Sequence, residues 1–330
     1  MKKKIIIILS LFLIIIAFVF IFKRNGGSQS NENADITVNQ GEAGKVVIMS
    51  SLFPWYDLAK QIGGDKVEVS LLLPPGVGAH SFEPTPSDML KISQADLFIY
   101  TGDYLEPWAI DLIASLGSDA PKSIALGEGL AQINNETDIE DESENIDHEE
   151  HMHSGLDPHI WLDPMILFNI AGRLTQELAN VDPVNIDYYN TNLDAYRQRL
   201  ENLDADYKKT LSKCEQKEFV YAGHYAFAYL ANRYDLQYEA AQGFSPDAES
   251  NPQRLTQLTD IIKRYQLNYI FAAELDNPQL AESLAQEAGV KILLLNSAHN
   301  LSKSDLRAGL TYEEIMRNNL KQLSLGLKCQ

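Results

Sequence analysis

Short apolar runs alternate with segments of helical periodicity from residue 45 onward. The first series predicts strands at 45–50, 67–73 and 96–100, and helices at 55–62, 86–94 and 164–180. Gly63-Gly64 and Pro74-Pro75-Gly76 end two of these elements, as turn residues do. Because strands alternate with helices, the pattern predicts βαβ units and a parallel sheet.

A second series of the same kind begins near residue 219. Its predicted strands are 219–222, 236–241, 269–273 and 290–295, and its predicted helices are 224–234, 252–265, 278–288 and 312–325. The chain is therefore predicted to form two α/β lobes with mainly parallel sheets.

The segment 183–214 between the two series has the longest helical pattern. Its apolar residues recur in steps of three and four, which places them on one helical face. These residues are Ile186, Tyr189, Leu193, Tyr196, Leu200, Leu203, Tyr207 and Leu211. A helix of this length would run roughly 45 Å and join the lobes rigidly. We therefore predict an N-terminal lobe at 45–181, a linking helix at 182–215 and a C-terminal lobe at 216–330.

The N-terminus has the pattern of a membrane segment. Lys2 to Lys4 precede an 18-residue stretch without charge, Ile5 to Phe22, and Lys23-Arg24 closes it. That length suits one membrane span, and no Ala-x-Ala site or lipid-accepting Cys follows it. We predict an anchor or signal segment at 1–24 and favour an uncleaved anchor, followed by a flexible tether at 25–44. The basic end stays in the cytoplasm by the positive-inside rule, so the remaining chain lies outside.

Charge and cysteine content narrow the possible functions. A net charge of −19 argues against nucleic-acid partners. Residues 134–150 are dominated by Asp and Glu, and we predict a mobile acidic insertion that extends to 157. Cys214 and Cys329 are too few for a Cys-rich zinc site, and the sequence leaves open whether they pair.

The seven histidines carry the candidate chemistry. His80, His159, His224 and His299 each stand near a turn or a strand end, with two in each lobe. Each one alone also fits an ordinary loop or packing histidine, but together they favour one shared site. Neutral imidazole suits zinc, which takes four ligands in structural sites. Four protein ligands leave no open position for substrate, and a His-Glu-x-x-His helix signature is absent from the sequence, so we predict metal capture rather than catalysis.

Several segments around these histidines resemble one family. His80-Ser-Phe-Glu-Pro-Thr-Pro-Ser-Asp88, Asp157-Pro-His-Ile-Trp-Leu-Asp-Pro164 and Gly223-His-Tyr-Ala-Phe-Ala-Tyr-Leu230 are similar to ligand segments of zinc/manganese solute-binding receptors of bacterial ABC importers. The resemblance implies two lobes joined by a long helix, with the metal in the cleft between them. His at the position of His224 is typical of the zinc type. The fourth family ligand is usually an acid; His299 takes that position here, with Glu274 and Asn296 in reserve.

The resemblance also implies a function. We expect an extracytoplasmic, membrane-attached, monomeric receptor that binds Zn²⁺ with high affinity and delivers it to an ABC permease subunit, without enzymatic activity. His148, His151 and His153 would form an accessory metal-collecting loop, and Glu83 and Glu274 would hydrogen-bond the ligating rings. Binding would weaken below about pH 6 as the ligands take up protons.

Three alternatives stay open at this point. The chain could be a manganese or other divalent-metal receptor of the same family. A secreted zinc hydrolase would need an open coordination position and a base, for which Glu274 is the candidate. A surface adhesin is the third alternative, because family members have been given that label.

Overall fold

The computed structural model describes residues 44–80, 82–131, 133, 156–243, 252–274 and 277–330. The first sheet consists of β1 (Val46–Ser50), β2 (Val67–Leu71), β3 (Leu97–Tyr100) and β4 (Lys122–Ala125). All its pairings are parallel and the strand order is β2-β1-β3-β4. The helices of this part are α1 (Phe53–Gly63), α2 (Pro86–Ser93), α3 (Pro107–Leu116) and α4 (Pro164–Val181).

The long helix α5 spans Ile186–Leu211 and follows a 3₁₀ turn at Pro183–Asn185. Its 26 residues correspond to about 39 Å. Six of the eight residues on the predicted apolar face are buried, Leu193 is half-buried, and Ile186 at the helix start is exposed. This face packs on α1 and α4, and on the C-terminal helix of the chain.

The second sheet repeats the topology of the first. Its strands are β5 (Glu218–Tyr221), β6 (Gln237–Ala240), β7 (Tyr269–Ala273) and β8 (Lys291–Leu295), all parallel, in the order β6-β5-β7-β8. Its helices are α6 (Ala228–Arg233), α7 (Pro252–Arg264), α8 (Gln279–Ala288), α9 (Lys303–Ala308) and α10 (Tyr312–Gly326). The predicted fold class, two α/β lobes with parallel sheets and a long helix, is confirmed; the residue boundaries between lobes and helix stay a prediction.

Buried hydrogen bonds join the half of the molecule that contains the first sheet to the half that contains the second. The Trp161 indole N–H donates to the Ser297 carbonyl at 2.7 Å, and the Tyr312 hydroxyl donates to the Trp161 carbonyl at 2.6 Å. Helix α10 begins at Tyr312, whose backbone N–H donates to the Asp57 carboxylate at 3.2 Å. These bonds connect the loop after β8, and helix α10, to the first half of the molecule, so the relative position of the sheets is fixed by more than the linking helix.

Three elements were missed by the sequence pattern: α3, β4 and α9. Strand β4 is four residues long and its side chains are exposed or half-buried, and α9 has six residues. Neither is long enough to show a clear period. In α3 the residues Ala109 and Leu112 are buried but the apolar Ile110 is exposed, so apolarity does not mark one face.

No helix in the described ranges is both long and apolar enough to cross a membrane. The predicted anchor at 1–24 and nearly all of the tether lie outside the described residues.

A disulfide joins Cys214 and Cys329, the pair that the sequence left open. Cys214 lies just after α5 and Cys329 just after α10, and their backbones form an isolated antiparallel bridge. The bond ties the end of the linking helix to the C-terminus.

We expect loss of this disulfide to lower stability markedly. It closes a sequence separation of 115 residues, and crosslinks over long loops stabilise chiefly by restricting the unfolded chain, here by on the order of 2–5 kcal/mol. Thermal unfolding with and without a thiol reductant measures the effect. The Cys214→Ser/Cys329→Ser variant is the control, because its unfolding must not respond to reductant. Equal melting temperatures for the oxidised protein and this variant would contradict the prediction.

Candidate metal centre

His159 is fixed by its own turn. Asp157 Oδ1 accepts from the His159 backbone N–H at 2.9 Å and lies 2.7 Å from the ring Nδ1. The turn continues into a 3₁₀ helix at Ile160–Leu162 and then into α4, which Asp163 caps. The His159 side chain is fully buried, and its Nε2 has no hydrogen-bond partner among the described residues. The bond from Asp157 to Nδ1 therefore leaves Nε2 as the free ligand atom.

The sequence predicted His224 at the start of a helix, but in the structure it lies in the loop after β5. Helix α6 begins four residues later at Ala228. The intervening amides are used by other partners: Tyr225 N–H donates to the Gly243 carbonyl and Ala226 N–H to the Tyr238 hydroxyl. The helix N-terminus therefore does not keep this ring neutral. Burial does, since His224 is 1% exposed and neither ring nitrogen has a described partner.

His80 reaches the same place from the loop between β2 and α2, and it is half-buried. Its ring centroid lies 5.4 Å from that of His159 and 5.5 Å from that of His224, and the latter two rings are 5.2 Å apart. One ligand atom from each of the three lies within 4.8 Å of the others. The structure thus brings together three of the four histidines singled out in the sequence.

His299 borders this trio. Its ring centroid lies 5.9 Å from that of His224. Its Nδ1 lies 2.5 Å from the Ser297 hydroxyl, which leaves Nε2 free of that bond. Among the described residues it is not part of the group within 4.8 Å, so this ring would have to move closer to share an ion with all three.

The reserve residues lie differently. The Asn296 side-chain oxygen accepts from the Ala298 N–H at 2.8 Å, and Ala298 has a φ of 58°. Asn296 therefore shapes the turn that presents His299. Glu274 is exposed and is outside the three-histidine group.

The acid beside the site is Asp157, not the expected Glu83 or Glu274. Both glutamates are exposed, and neither has a hydrogen bond to an imidazole among the described contacts. Asp157 is fully buried, and burial raises its pKa well above the usual range, while the His159 backbone N–H opposes this. The Asp-Pro-His sequence was read as a rigid turn; that the Asp also bonds the imidazole was missed.

Burial keeps the imidazoles neutral. It lowers the pKa of His159 to about 3 and, with the nearby His159, that of His299 to about 4. Burial, followed by the charges of neighbouring histidines, holds the pKa of His80 and His224 well below 6.5. Neutral rings are the form that binds metal.

The arrangement is that of a cation site built from neutral nitrogen donors. Zinc binds imidazole at about 2.0–2.1 Å and takes four ligands in a tetrahedron. The described ring nitrogens are close enough for small side-chain shifts to bring them onto one ion. His148, His151 and His153, predicted to collect metal, lie outside the described residues.

Comparison with known proteins shows which family the chain matches. Residues 48–326 match the family model described as zinc-uptake complex component A, periplasmic. Such a role is that of a transport component and not of an enzyme, which agrees with the prediction of capture.

Two curated relatives illustrate the similarity. The high-affinity zinc uptake system protein ZnuA of Bacillus subtilis is 35% identical over 289 residues, which is 86% of this chain and 88% of ZnuA. The zinc-binding lipoprotein AdcA of Streptococcus pneumoniae is 36% identical over 287 residues, and the match spans 86% of this chain but only 56% of AdcA. The match also spans only 56% of the length of several other streptococcal AdcA proteins, so this chain corresponds to about half of each of them.

Solved structures give the same result. The Zn(II)-bound ZnuA-like domain of the pneumococcal AdcA has a TM-score of 0.71 at 33% identity, covering 86% of this chain and 99% of that domain. The laminin-binding protein of Streptococcus agalactiae, described as having adhesin and metal-transporting activity, has a TM-score of 0.74 at 30% identity, with 86% and 99% covered. The predicted resemblance is confirmed: the chain belongs to the zinc-uptake complex component A family.

Proposed function

We propose that this protein is an extracytoplasmic zinc receptor that delivers Zn²⁺ to an ABC-type importer. The observation that carries the proposal is the trio of His80, His159 and His224, two of them buried and His80 half-buried, whose ligand atoms lie within 4.8 Å of one another. His299 is the proposed fourth ligand, oriented by Ser297. Asp157 is proposed to hold the His159 ring through Nδ1, because such outer carboxylates fix ligand orientation and raise basicity.

The donor set supports zinc over manganese. Manganese is served best by carboxylate, carbonyl and water oxygens, whereas imidazole suits zinc and its neighbours in the Irving–Williams order. None of the four proposed ligands is a carboxylate, and among the described residues the buried acid in contact with them is Asp157, which bonds a ring nitrogen.

Delivery, attachment and oligomeric state are parts of the same proposal. Relatives named as zinc-uptake proteins support an importer as the partner. The 18-residue uncharged segment at Ile5 to Phe22 supports attachment at the outer face of the membrane. We propose a monomer, since all four proposed ligands belong to one chain.

The test is metal-dependent stability of the purified full chain in detergent. Zinc at a thousand-fold excess over its Kd is expected to stabilise the fold by about 4 kcal/mol, with a higher melting temperature. Manganese at the same concentration is expected to shift it far less. Natively purified protein without zinc, and no thermal shift on adding it, would refute the receptor. An equal or larger shift with manganese would favour the manganese alternative.

A structure of the protein with bound zinc would distinguish the receptor from the hydrolase alternative. Three histidines plus a water on the ion would leave the open position that catalysis needs. Four protein ligands are the expected result.

A further inference from the structure

The loop that carries His80 is held by the segment that carries His299. The buried Asn300 donates both protons of its side-chain amide, to the Pro74 carbonyl at 2.7 Å and to the Val77 carbonyl at 2.8 Å. Its side-chain oxygen accepts from the Leu301 N–H at 2.7 Å. The amide therefore has all its main bonding positions in use between two segments more than 220 residues apart.

A backbone bond reinforces this connection. The Gly76 N–H donates to the Leu301 carbonyl at 3.0 Å. Gly76 has a φ of 82°, a conformation that glycine adopts without strain. Of the described hydrogen bonds made by residues 74–80, those that leave the segment all go to Asn300 and Leu301.

Packing holds the turn at 74–77 only weakly, whereas Ala79 beside His80 is buried in the core at 3% exposure. Pro74 and Gly76 are exposed, and 38% of Val77 is exposed. Surface segments with few buried contacts open at low cost, so their hydrogen bonds decide their position. The two bonds from Asn300 therefore fix where the turn at 74–77, which leads to His80, lies relative to the His299 segment.

Burial indicates where the site would open. His159 and His224 are buried in the interior, whereas His80 and His299 are half-buried. An ion would leave on the side of these two half-buried rings, and moving the His80 loop away requires both bonds from Asn300 and the Gly76–Leu301 backbone bond to break.

We propose that Asn300 is a positioning residue that acts as a latch: its amide holds the His80 loop closed against the His299 segment and thereby sets the rate of zinc release. This inference rests on the proposed function of the site. Asn300 would bind no metal itself. It would act by keeping His80 close to the other rings, which lowers the cost of gathering the ligands around the ion.

The test is the rate at which zinc-loaded full chain, in detergent, gives up Zn²⁺ to an excess of a chromogenic chelator. Asn300→Ala removes the two hydrogen bonds to the turn at 74–77, together with the local one from the Leu301 N–H, and is expected to speed release about ten-fold or more. Asn300→Asp keeps the size and the acceptor but loses the donors, and should release zinc at least as fast. It also provides the measurement if the alanine variant does not fold.

Asn192→Ala is the matched control. Asn192 likewise donates its side-chain amide to a carbonyl, that of Ile62 at 2.9 Å, in a partly buried position between α5 and α1. It should change stability a little and leave zinc release at the wild-type rate.

The possible outcomes distinguish failure of the Asn300 latch proposal from failure of the zinc-receptor proposal. Faster release from the Asn300 variants with an unchanged Asn192 control supports the latch. Wild-type release rates in the Asn300 variants, or equal acceleration in Asn192→Ala, would overturn the latch while leaving the receptor intact. A wild-type chain that binds no zinc would overturn the receptor itself.

Discussion

Replacing His224 by alanine is expected to abolish high-affinity zinc retention. His224 is the ring that lies near all three others, at centroid distances of 5.2 Å to His159, 5.5 Å to His80 and 5.9 Å to His299. Loss of an outer-shell partner already costs about ten- to a hundred-fold in metal affinity, so loss of this proposed ligand should reduce the affinity by more than about a hundred-fold. Competition titration against a chelator of known affinity measures the change.

The metal-free variant should remain folded. Neither ring nitrogen of His224 has a hydrogen-bond partner among the described residues, although the side chain is buried. Removing the ring therefore breaks no described ring hydrogen bond and relieves an unfavourable buried polar group, at the cost of a small cavity. Unfolding of the metal-free proteins should differ far less than their zinc affinities do.

His151→Ala is the matched control for this experiment, because it makes the same chemical change in the predicted collecting loop, outside the described residues. It should leave the high-affinity site unaffected. If His224→Ala held zinc as tightly as wild type, the cluster would not be the binding site.

The fold could be predicted because its determinants are periodic. Apolar runs marked seven of the eight strands in the described part of the chain, and steps of three and four marked the apolar face of α5 from Tyr189 to Leu211. Short elements carry too few residues to show a period, which is why β4 and α9 were missed.

For the candidate site, the sequence singled out the histidines but not the residues that support them. Residues such as His80 and His224 stand out by type and by position after strand ends, where parallel α/β folds place ligands. The supporting contacts do not stand out. Asp157 bonds the ring of His159 two residues away, and Asn300 bonds carbonyls more than 220 residues away. An amide that bonds backbone carbonyls leaves no sequence signal at its partners, so only the folded structure identifies it.

Zinc binding is expected to persist at an acidity that would strip an ordinary imidazole site. An imidazole with a pKa of about 6.5 loses about thirty-fold in its neutral fraction by pH 5. Here burial lowers the pKa of His159 to about 3 and that of His299 to about 4. Protons therefore compete with zinc for these two rings only as the pH falls through about 4, and the expectation of weakening below about pH 6 is revised downward.

Zinc affinity falls with decreasing pH because protons and zinc compete for the same ring nitrogens. Above its lowered folded-state pKa each ring is already neutral, so zinc displaces no proton and the affinity is flat; below it, binding must release a proton and weakens. Asp157 is a second titrating group beside His159, and burial raises its pKa. Asp157→Asn removes that contribution, so its Kd measured from pH 7 to pH 4 isolates the imidazoles. A profile that is flat to about pH 5 is expected, and a steep loss of affinity between pH 7 and pH 6 in this variant would show that the rings titrate normally.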